Sequence, residues 1–215
     1  MPSLPVWGAI AAVSVATAFA VSTPVWQQLG VIRSLPDPML ASAHVQIFSK
    51  GGGHGSGVSI GNGYILTAAH VAKSEGLRIK DDLMRVQDME VLWLNESYDI
   101  ALVRAKRPEL LASAELDCAP NAIGQEVTAF GNPLNIEFVR TGGSVMGTPI
   151  SVGPWRSVVP VDMTIIPGQS GGGVMNEAGE VVGITVGVMT AGFSITGIGL
   201  VVPAESICSL MGRTA

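Results

Sequence analysis

Three short segments of the sequence carry side chains that could act together in covalent chemistry. His70 ends an apolar run, Asp99 precedes another, and Ser170 lies in the glycine-rich segment 167–173. A serine hydroxyl is a weak nucleophile alone, because it needs a base to take its proton and a carboxylate to orient that base. The order His, Asp, Ser is one of the known orders of such a triad. We therefore predict that His70 is a general base, Asp99 its orienting acid and Ser170 the nucleophile.

The glycines around Ser170 favour the same chemistry. A turn without Cβ atoms can aim several backbone N–H groups at one point, where they stabilise an oxyanion. The N–H groups of Gly168 and Ser170 are the natural pair for this task. Each segment also has a plain structural explanation, since a histidine can pack in a fold, an acid can cap a turn and a glycine-rich run can be a simple loop. It is the combination of the three segments that indicates catalysis.

The elements that must position these residues are short and rich in β-formers. Gly61-Asn62-Gly63 predicts a tight hairpin, and one short helix is predicted at Glu205–Met211. The predicted strands are His44–Phe48, Gly57–Ile60, Tyr64–Thr67, Arg78–Lys80, Glu90–Leu94, Ile100–Ala105, Glu126–Gly131, Glu137–Gly147, Ser157–Val161, Gly173–Met175, Val181–Met189 and Gly197–Val202. Many closely spaced strands predict an all-β barrel or sandwich. A break near 108–120 divides them into two halves, with His70 and Asp99 in the first and Ser170 in the second.

Composition excludes several classes of protein. The chain has 215 residues, of which 47% are hydrophobic and 13% charged, with a net charge of −5. This content is too apolar for a disordered chain, and the absence of a basic stripe argues against a nucleic-acid partner. Neither His44 nor His54 has cysteine or acid neighbours at metal-ligand spacing, so we expect no metal, and we expect no cofactor.

The first 32 residues form a separate segment. Residues 2–32 carry no charge, and the apolar stretch 6–22 is slightly shorter than the ~20 residues that span a bilayer. A transmembrane anchor, an export signal cleaved after a small-x-small site such as Ala18-Phe19-Ala20, and a buried helix are the three alternatives. We expect an anchor or signal at 1–32, a proline-containing linker at 33–40 and a catalytic domain at 41–215.

The motifs carry a family resemblance over residues 41–208. TAAHV, YDIALV and GQSGGG resemble the three signature segments of chymotrypsin-fold serine proteases. Phe130–Pro133 resembles the I-G-N-P turn of the HtrA/Deg protease domain, and Asp162–Gly172 resembles its D-x-x-I-N-P-G-N-S-G-G segment. Gly197–Pro203 resembles its G-I-G-F-A-I-P strand. The resemblance implies two six-stranded antiparallel β-barrels, at about 41–112 and 120–208, with the triad between them. Since the sequence ends at Ala215, we expect no PDZ domain of the kind typical of that family.

The same resemblance assigns a substrate pocket. The residues assigned to substrate binding are Thr164, Ile165, Ile184, Thr185, Val186 and Ile198. Thr164 matches the pocket floor of relatives and is uncharged, while the isoleucines imply an apolar pocket for small or medium side chains. The strand 184–188 could pair with the substrate backbone as an added strand. Gln169 stands where digestive relatives have an acid, so activation through a freed N-terminus is not expected.

These observations predict a serine endopeptidase that forms an acyl-enzyme, anchored to a membrane or exported, with polypeptide as its substrate. A viral or phage processing protease of narrow specificity and a non-catalytic peptide-binding module are the alternatives. Assembly into a homo-oligomer is left open by the sequence. Cys118 and Cys208 form either one disulfide or two free thiols, and the sequence does not distinguish these.

Overall fold

The computed structural model describes residues 42–212 apart from Phe193, so the predicted N-terminal segment and linker lie outside the described residues. The strands are β1 His44–Phe48, β2 His54–Gly61, β3 Tyr64–Ala68, β4 Arg78–Asp81, β5 Val86–Asn95, β6 Ile100–Ala105, β7 Glu126–Gly131, β8 Val139–Ser144, β9 Ile150–Val152, β10 Trp155–Asp162, β11 Gly173–Met175, β12 Val181–Ala191 and β13 Ser194–Pro203. The helices are α1 Ala69–Ala72 and α2 Ala204–Leu210. Within the described part of the chain, no helix is long and apolar enough to cross a bilayer.

The first half is a closed antiparallel barrel with the strand order β1-β2-β3-β6-β5-β4. The predicted hairpin at Gly61-Asn62-Gly63 joins β2 to β3. Asn62 has a φ of 52° and Gly63 a φ of 77°. Two positive φ angles at the turn match the right-handed twist of the strands, and this is the conformation that Asn-Gly turns favour. The hairpin pairs β3 with β2 on one side, and β6 pairs with β3 on the other. The residues that follow β3 therefore lie beside the start of β6.

Apolar side chains from the strands form the buried layer of this barrel. Val45 and Ile47 of β1, Ile65 of β3 and Ile100 and Val103 of β6 are almost fully buried. Burying one such side chain contributes about 1.5–3 kcal/mol, which makes this layer the main source of stability for the first half. Most charged side chains of these strands are exposed or half-buried, and the buried Asp81 at the end of β4 pairs with Arg85. This difference between the two faces sets the register.

The second half is a seven-stranded sheet with the order β8-β7-β11-β12-β13-β10-β9. An isolated bridge pairs Val145, which follows β8, with Val161 of β10. This bridge brings the six strands other than β9 toward a closed barrel. The sequence predicted six strands here, and the additional one is β9. It pairs with β10 across the Gly153-Pro154 turn.

One hydrophobic cluster connects the halves. The buried residues of the barrel form a continuous cluster with Val158, Ile184, Val202 and Ile207 from the second half. A disulfide joins Cys118, in the segment between the halves, to Cys208 of α2, with the Cα atoms 5.9 Å apart. The alternative that the sequence left open is thus settled in favour of the bridge. The cluster fixes the second half against the first, and the disulfide fixes the connecting segment to α2. The cleft between the halves holds the candidate site.

Candidate active site

His70 lies in α1, the single helical turn that follows β3. The sequence predicted this residue at the end of a strand, and the turn begins one residue earlier. The N–H of Ala69 donates to the Asp99 carbonyl (3.1 Å), and the N–H of His70 donates to Asp99 Oδ1 (2.9 Å). The ring then donates from Nδ1 to Asp99 Oδ2 at 2.7 Å. Two bonds from His70 and one from Ala69 therefore fix α1 against Asp99, although the His70 side chain is 48% exposed.

Asp99 lies at the turn between β5 and β6 in a left-handed conformation, with φ of 56°. A non-glycine residue in this region is strained, and such strain is concentrated at functional sites. The turn is held by the Asp99 N–H, which donates to the Glu96 carbonyl, and by the Tyr98 N–H, which donates to Asn95 Oδ1. This conformation directs the carboxylate back toward α1.

The carboxylate of Asp99 receives three hydrogen bonds. Two come from His70, and the third comes from the indole of Trp155, whose Nε1 lies 3.0 Å from Oδ2. Burial opposes ionisation and would raise the pKa of Asp99. The hydrogen bonds from the His70 ring, from Trp155 and from the His70 backbone outweigh burial, so the pKa of Asp99 lies below its ordinary value. Asp99 is therefore a carboxylate at neutral pH.

An ionised Asp99 determines the tautomer of neutral His70. A carboxylate only accepts hydrogen bonds, so Nδ1 of the ring carries the proton that it donates. Nε2 is then left as the acceptor of the ring. This is the state in which an imidazole can take a proton from another group.

Ser170 lies in a loop whose backbone is held by hydrogen bonds on both sides. The Ser56 N–H donates to the Ser170 carbonyl (2.8 Å), and the Gly171 N–H donates to the Thr185 carbonyl (2.7 Å). The Thr185 hydroxyl donates to the Gln169 carbonyl at 2.6 Å. Gln169 is buried and accepts from the Ile166 N–H, so this neutral residue braces its own loop.

Gly168 is held by a second network that reaches across the two halves. The Ser56 hydroxyl donates to the Gly168 carbonyl (2.8 Å) and accepts from the backbone N–H of Asn132 (3.0 Å). The Pro167 carbonyl accepts from the N–H of Leu134. Because a trans peptide points its two polar groups in opposite directions, the Gly168 N–H points away from Leu134. Among the described residues, neither the Gly168 N–H nor the Ser170 N–H has an acceptor.

His70, Gly168 and Ser170 line one cavity of about 450 Å³ between the halves. The Ser170 side chain is partly exposed and makes no hydrogen bond to any residue that the structure describes, His70 included. The other cavity walls are mostly apolar. They are formed by Ile47, Gly53, His54, Val71, Ser74, Leu77, Ile165, Ile166, Pro167, Gly187 and Val188.

The residues predicted to bind substrate lie at different depths. Ile165 lines the cavity that contains Ser170, whereas Val186 lines a second cavity beside His70 and Asp99. Ile184 and Thr185 have no exposed surface, and the Thr185 hydroxyl bonds the carbonyl groups of Gln169 and Gly172 on either side of Ser170. Thr164 is exposed, and Ile198 is half-buried in β13.

Other residues of the site were not singled out individually from the sequence. Asn132 stands in the Phe130–Pro133 motif, and the structure shows that Asn132 and Ser56 together hold Gly168 in place. Trp155 stands outside every such motif. Its contact with Asp99 depends on a hairpin from the other half of the molecule, so no local sequence signal could have found it.

The arrangement combines a base with a charged partner, an unengaged hydroxyl and two unengaged N–H groups at one cavity. These are the components of nucleophilic attack on a carbonyl group, in which an oxyanion develops beside the nucleophile. No other cluster in the described residues carries such a combination.

Comparisons with known proteins agree with this chemistry. The family model described as a trypsin-like peptidase domain matches residues 55–184. Protease Do-like 1, chloroplastic, of Arabidopsis thaliana is 26% identical, and the match covers 98% of this chain and 54% of that protein. The periplasmic pH-dependent serine endoprotease DegQ of Escherichia coli strain K12 is 30% identical over 71% of this chain and 35% of its own length.

Solved structures share the architecture. The HtrA-type protease AlgW, solved with a tripeptide, superposes with a TM-score of 0.71 and 22% identity, covering 81% of this chain and 60% of that one. This likeness shows the fold. The chain spans about half or less of the length of the two curated relatives.

Proposed function

Since the chain belongs to the trypsin-like peptidase family, we propose that it is a serine endopeptidase that cleaves extended polypeptides through His70, Asp99 and Ser170. The observation that carries the proposal is the bonded pair of Asp99 and His70 at the wall of the cavity that also contains Ser170. The N–H groups of Gly168 and Ser170 complete the set, because they have no acceptor among the described residues.

The reaction has two halves with balanced proton transfers. Ser170 Oγ attacks the scissile carbonyl while His70 Nε2 takes the hydroxyl proton, and the oxyanion is stabilised by the N–H groups of Gly168 and Ser170. When the C–N bond breaks, His70 returns the proton to the leaving amine. Water then attacks the acyl-enzyme with His70 again as base, which releases the acid and restores Ser170. Asp99 stays ionised throughout and stabilises the imidazolium.

Labelling with a fluorophosphonate probe tests the proposal, because the probe reacts only with an activated serine. We expect labelling of the parent at Ser170, no labelling of Ser170→Ala, and casein fragments from the parent alone. A parent that neither labels nor cleaves would instead be a peptide-binding module without catalysis, and the proposal would be abandoned.

The cavity also supports a preference for apolar residues before the scissile bond. Ile165, Ile166 and Val188 line it, and none of its lining residues is an acid that could pair with lysine or arginine. One methylene in an apolar pocket changes discrimination by only about 1–3 kcal/mol, so we expect a broad preference for small and medium aliphatic residues. A peptide-library cleavage profile measures it, and a profile dominated by basic residues would contradict this assignment.

Gly168→Ala should lower kcat by at least about 10², because losing one oxyanion donor costs roughly 10²–10³. Gly168 has a φ of 100°, and a Cβ there would overlap the Asn132 carbonyl oxygen, so the peptide must move. The measurement is kcat on a peptide substrate, with thermal unfolding as a check of folding. Gly142→Ala is the matched control, since a Cβ there meets nothing within 4 Å. Parent-like kcat in folded Gly168→Ala would contradict the assigned role.

We place the enzyme outside the cytoplasm. DegQ is named as periplasmic and Protease Do-like 1 as chloroplastic. The disulfide between Cys118 and Cys208 is consistent with an oxidising compartment, where such bridges persist. Fractionation of cells that express the chain, with thiol labelling of each fraction, tests this location.

A further inference from the structure

Trp155 contacts the carboxylate of Asp99 from the opposite half of the molecule. Its Nε1–H donates to Oδ2 at 3.0 Å, and the same oxygen accepts from His70 Nδ1 at 2.7 Å. Oδ1 is already used by the backbone N–H of His70. Both oxygens therefore have fixed partners, and the carboxylate cannot rotate without losing at least one of these bonds.

The hairpin of β9 and β10 holds Trp155 in this position. The N–H of Arg156 donates to the Ser97 carbonyl at 2.8 Å, two residues before Asp99. The indole ring lies over Gly187 of β12, where an added Cβ would come within 2.6 Å of the ring. The backbone bond and the space left by a glycine together direct the indole toward Asp99.

We propose that Trp155 is a positioning residue of the catalytic pair, and that its indole N–H holds Asp99 in the orientation that keeps the His70 ring aligned for proton transfer. This inference rests on the proposed function, since it concerns the same base and carboxylate. It adds a residue from the second half to a pair that is otherwise built from the first barrel. The orientation of the base thereby depends on how the two halves are packed.

Trp155 is the side chain other than His70 that donates a hydrogen bond to the Asp99 carboxylate among the described residues. Lys73 and Glu96 line the adjoining cavity of about 440 Å³, but they pair with each other at 2.9 Å. Loss of the Trp155 donor should therefore raise the pKa of Asp99 and leave more negative charge facing His70. A carboxylate with one donor fewer stabilises the protonated His70 ring more strongly, so the onset of activity moves to higher pH.

The test measures how fast Ser170 reacts with diisopropyl fluorophosphate, a reagent too small to need the neighbouring cavities. Its reaction forms the Oγ–P bond, expels fluoride and passes the serine proton to His70, so the rate reports the base. For Trp155→Phe we expect labelling about tenfold slower, the effect of losing a charge-assisted hydrogen bond of about 1.4 kcal/mol. The pH of half-maximal labelling should move upward.

Two further proteins make the result specific. Incorporation of β-(3-benzothienyl)alanine at position 155 keeps the ring and replaces only the N–H, so packing on Gly187 is retained. It should reproduce the slower rate and the shifted profile. Trp93→Phe changes a half-buried tryptophan of β5 that makes no side-chain hydrogen bond to a described residue, and it should label at the parent rate.

Several outcomes would overturn the inference. Parent-like rates and pH profiles in both position-155 proteins would show that the N–H has no role. A slower labelling rate without a shifted pH profile would indicate that Trp155 has only a structural role. An increased KM for peptide with unchanged labelling would indicate that Trp155 only lines the substrate cavity. If the parent itself fails to label, the proposed function has failed, which is a different result from any of these.

Discussion

Replacing His70 or Ser170 by alanine should lower kcat by about 10⁶, and replacing both should cost little more than replacing either alone. The reason is that the base and the nucleophile act in one step, so neither accelerates the reaction without the other. Kinetic constants of the parent, His70→Ala, Ser170→Ala and the double variant on one peptide substrate give the coupling directly. The residual rate reports the N–H groups of Gly168 and Ser170, which remain in all four proteins.

Ser113→Ala serves as the control for this series, because Ser113 is exposed and lies outside both cavities beside His70. It should retain the parent kcat and remain labelled by the fluorophosphonate. If the effects of the two single replacements multiplied in the double variant, His70 and Ser170 would be acting independently, and the assignment of base and nucleophile would be wrong.

The positions of most strands along the chain could be predicted from the sequence, and the family prediction is confirmed. β1, β6, β7 and β11 occupy the predicted ranges, because each is an apolar run bounded by turn-forming residues. The single helical turn α1 and the three-residue strand β9 were not predicted. Neither is long enough to complete two repeats of a hydrophobic pattern, so periodicity carries little information about them. β9 exists because it pairs with β10, which is a tertiary reason.

The residues of the candidate site were likewise predictable from the sequence only in part. His70 and Asp99 are 29 residues apart in sequence, and the structure joins them through two hydrogen bonds to the carboxylate. Local motifs identify such residues because the chemistry requires particular side chains in particular turns. The supporting contacts of Ser56 and Trp155 depend on how the halves pack, and hydrogen bonds between distant segments leave no local pattern. Depth is equally hidden, since Ile184 and Val186 both belong to one buried cluster, yet only Val186 also lines the cavity beside His70 and Asp99.

Asp99→Asn should lower kcat/KM by about 10⁴, the second largest effect expected, while leaving the fold intact. The pKa of Asp99 is below its ordinary value, so the parent holds a carboxylate that accepts from the His70 ring and from Trp155. An amide can instead donate to His70 Nδ1, which favours the opposite tautomer and places the proton on Nε2, the atom that must accept one. Measurement of kcat/KM between mildly acidic and alkaline pH checks the prediction.

The pH dependence of stability separates this electrostatic role from general damage. Because the native pKa of Asp99 is depressed, its ionisation stabilises the parent above the pKa of the unfolded chain, and this stabilisation is lost as pH falls through the native value. Asp99→Asn should therefore lose less stability on acidification than the parent does. Asp88→Asn is the matched control, since Asp88 pairs with Arg78 and Lys106 at 3.3 Å on the exposed side of the barrel. It should keep the parent kcat/KM, and an Asp99→Asn protein with equally intact activity would exclude the carboxylate from the mechanism.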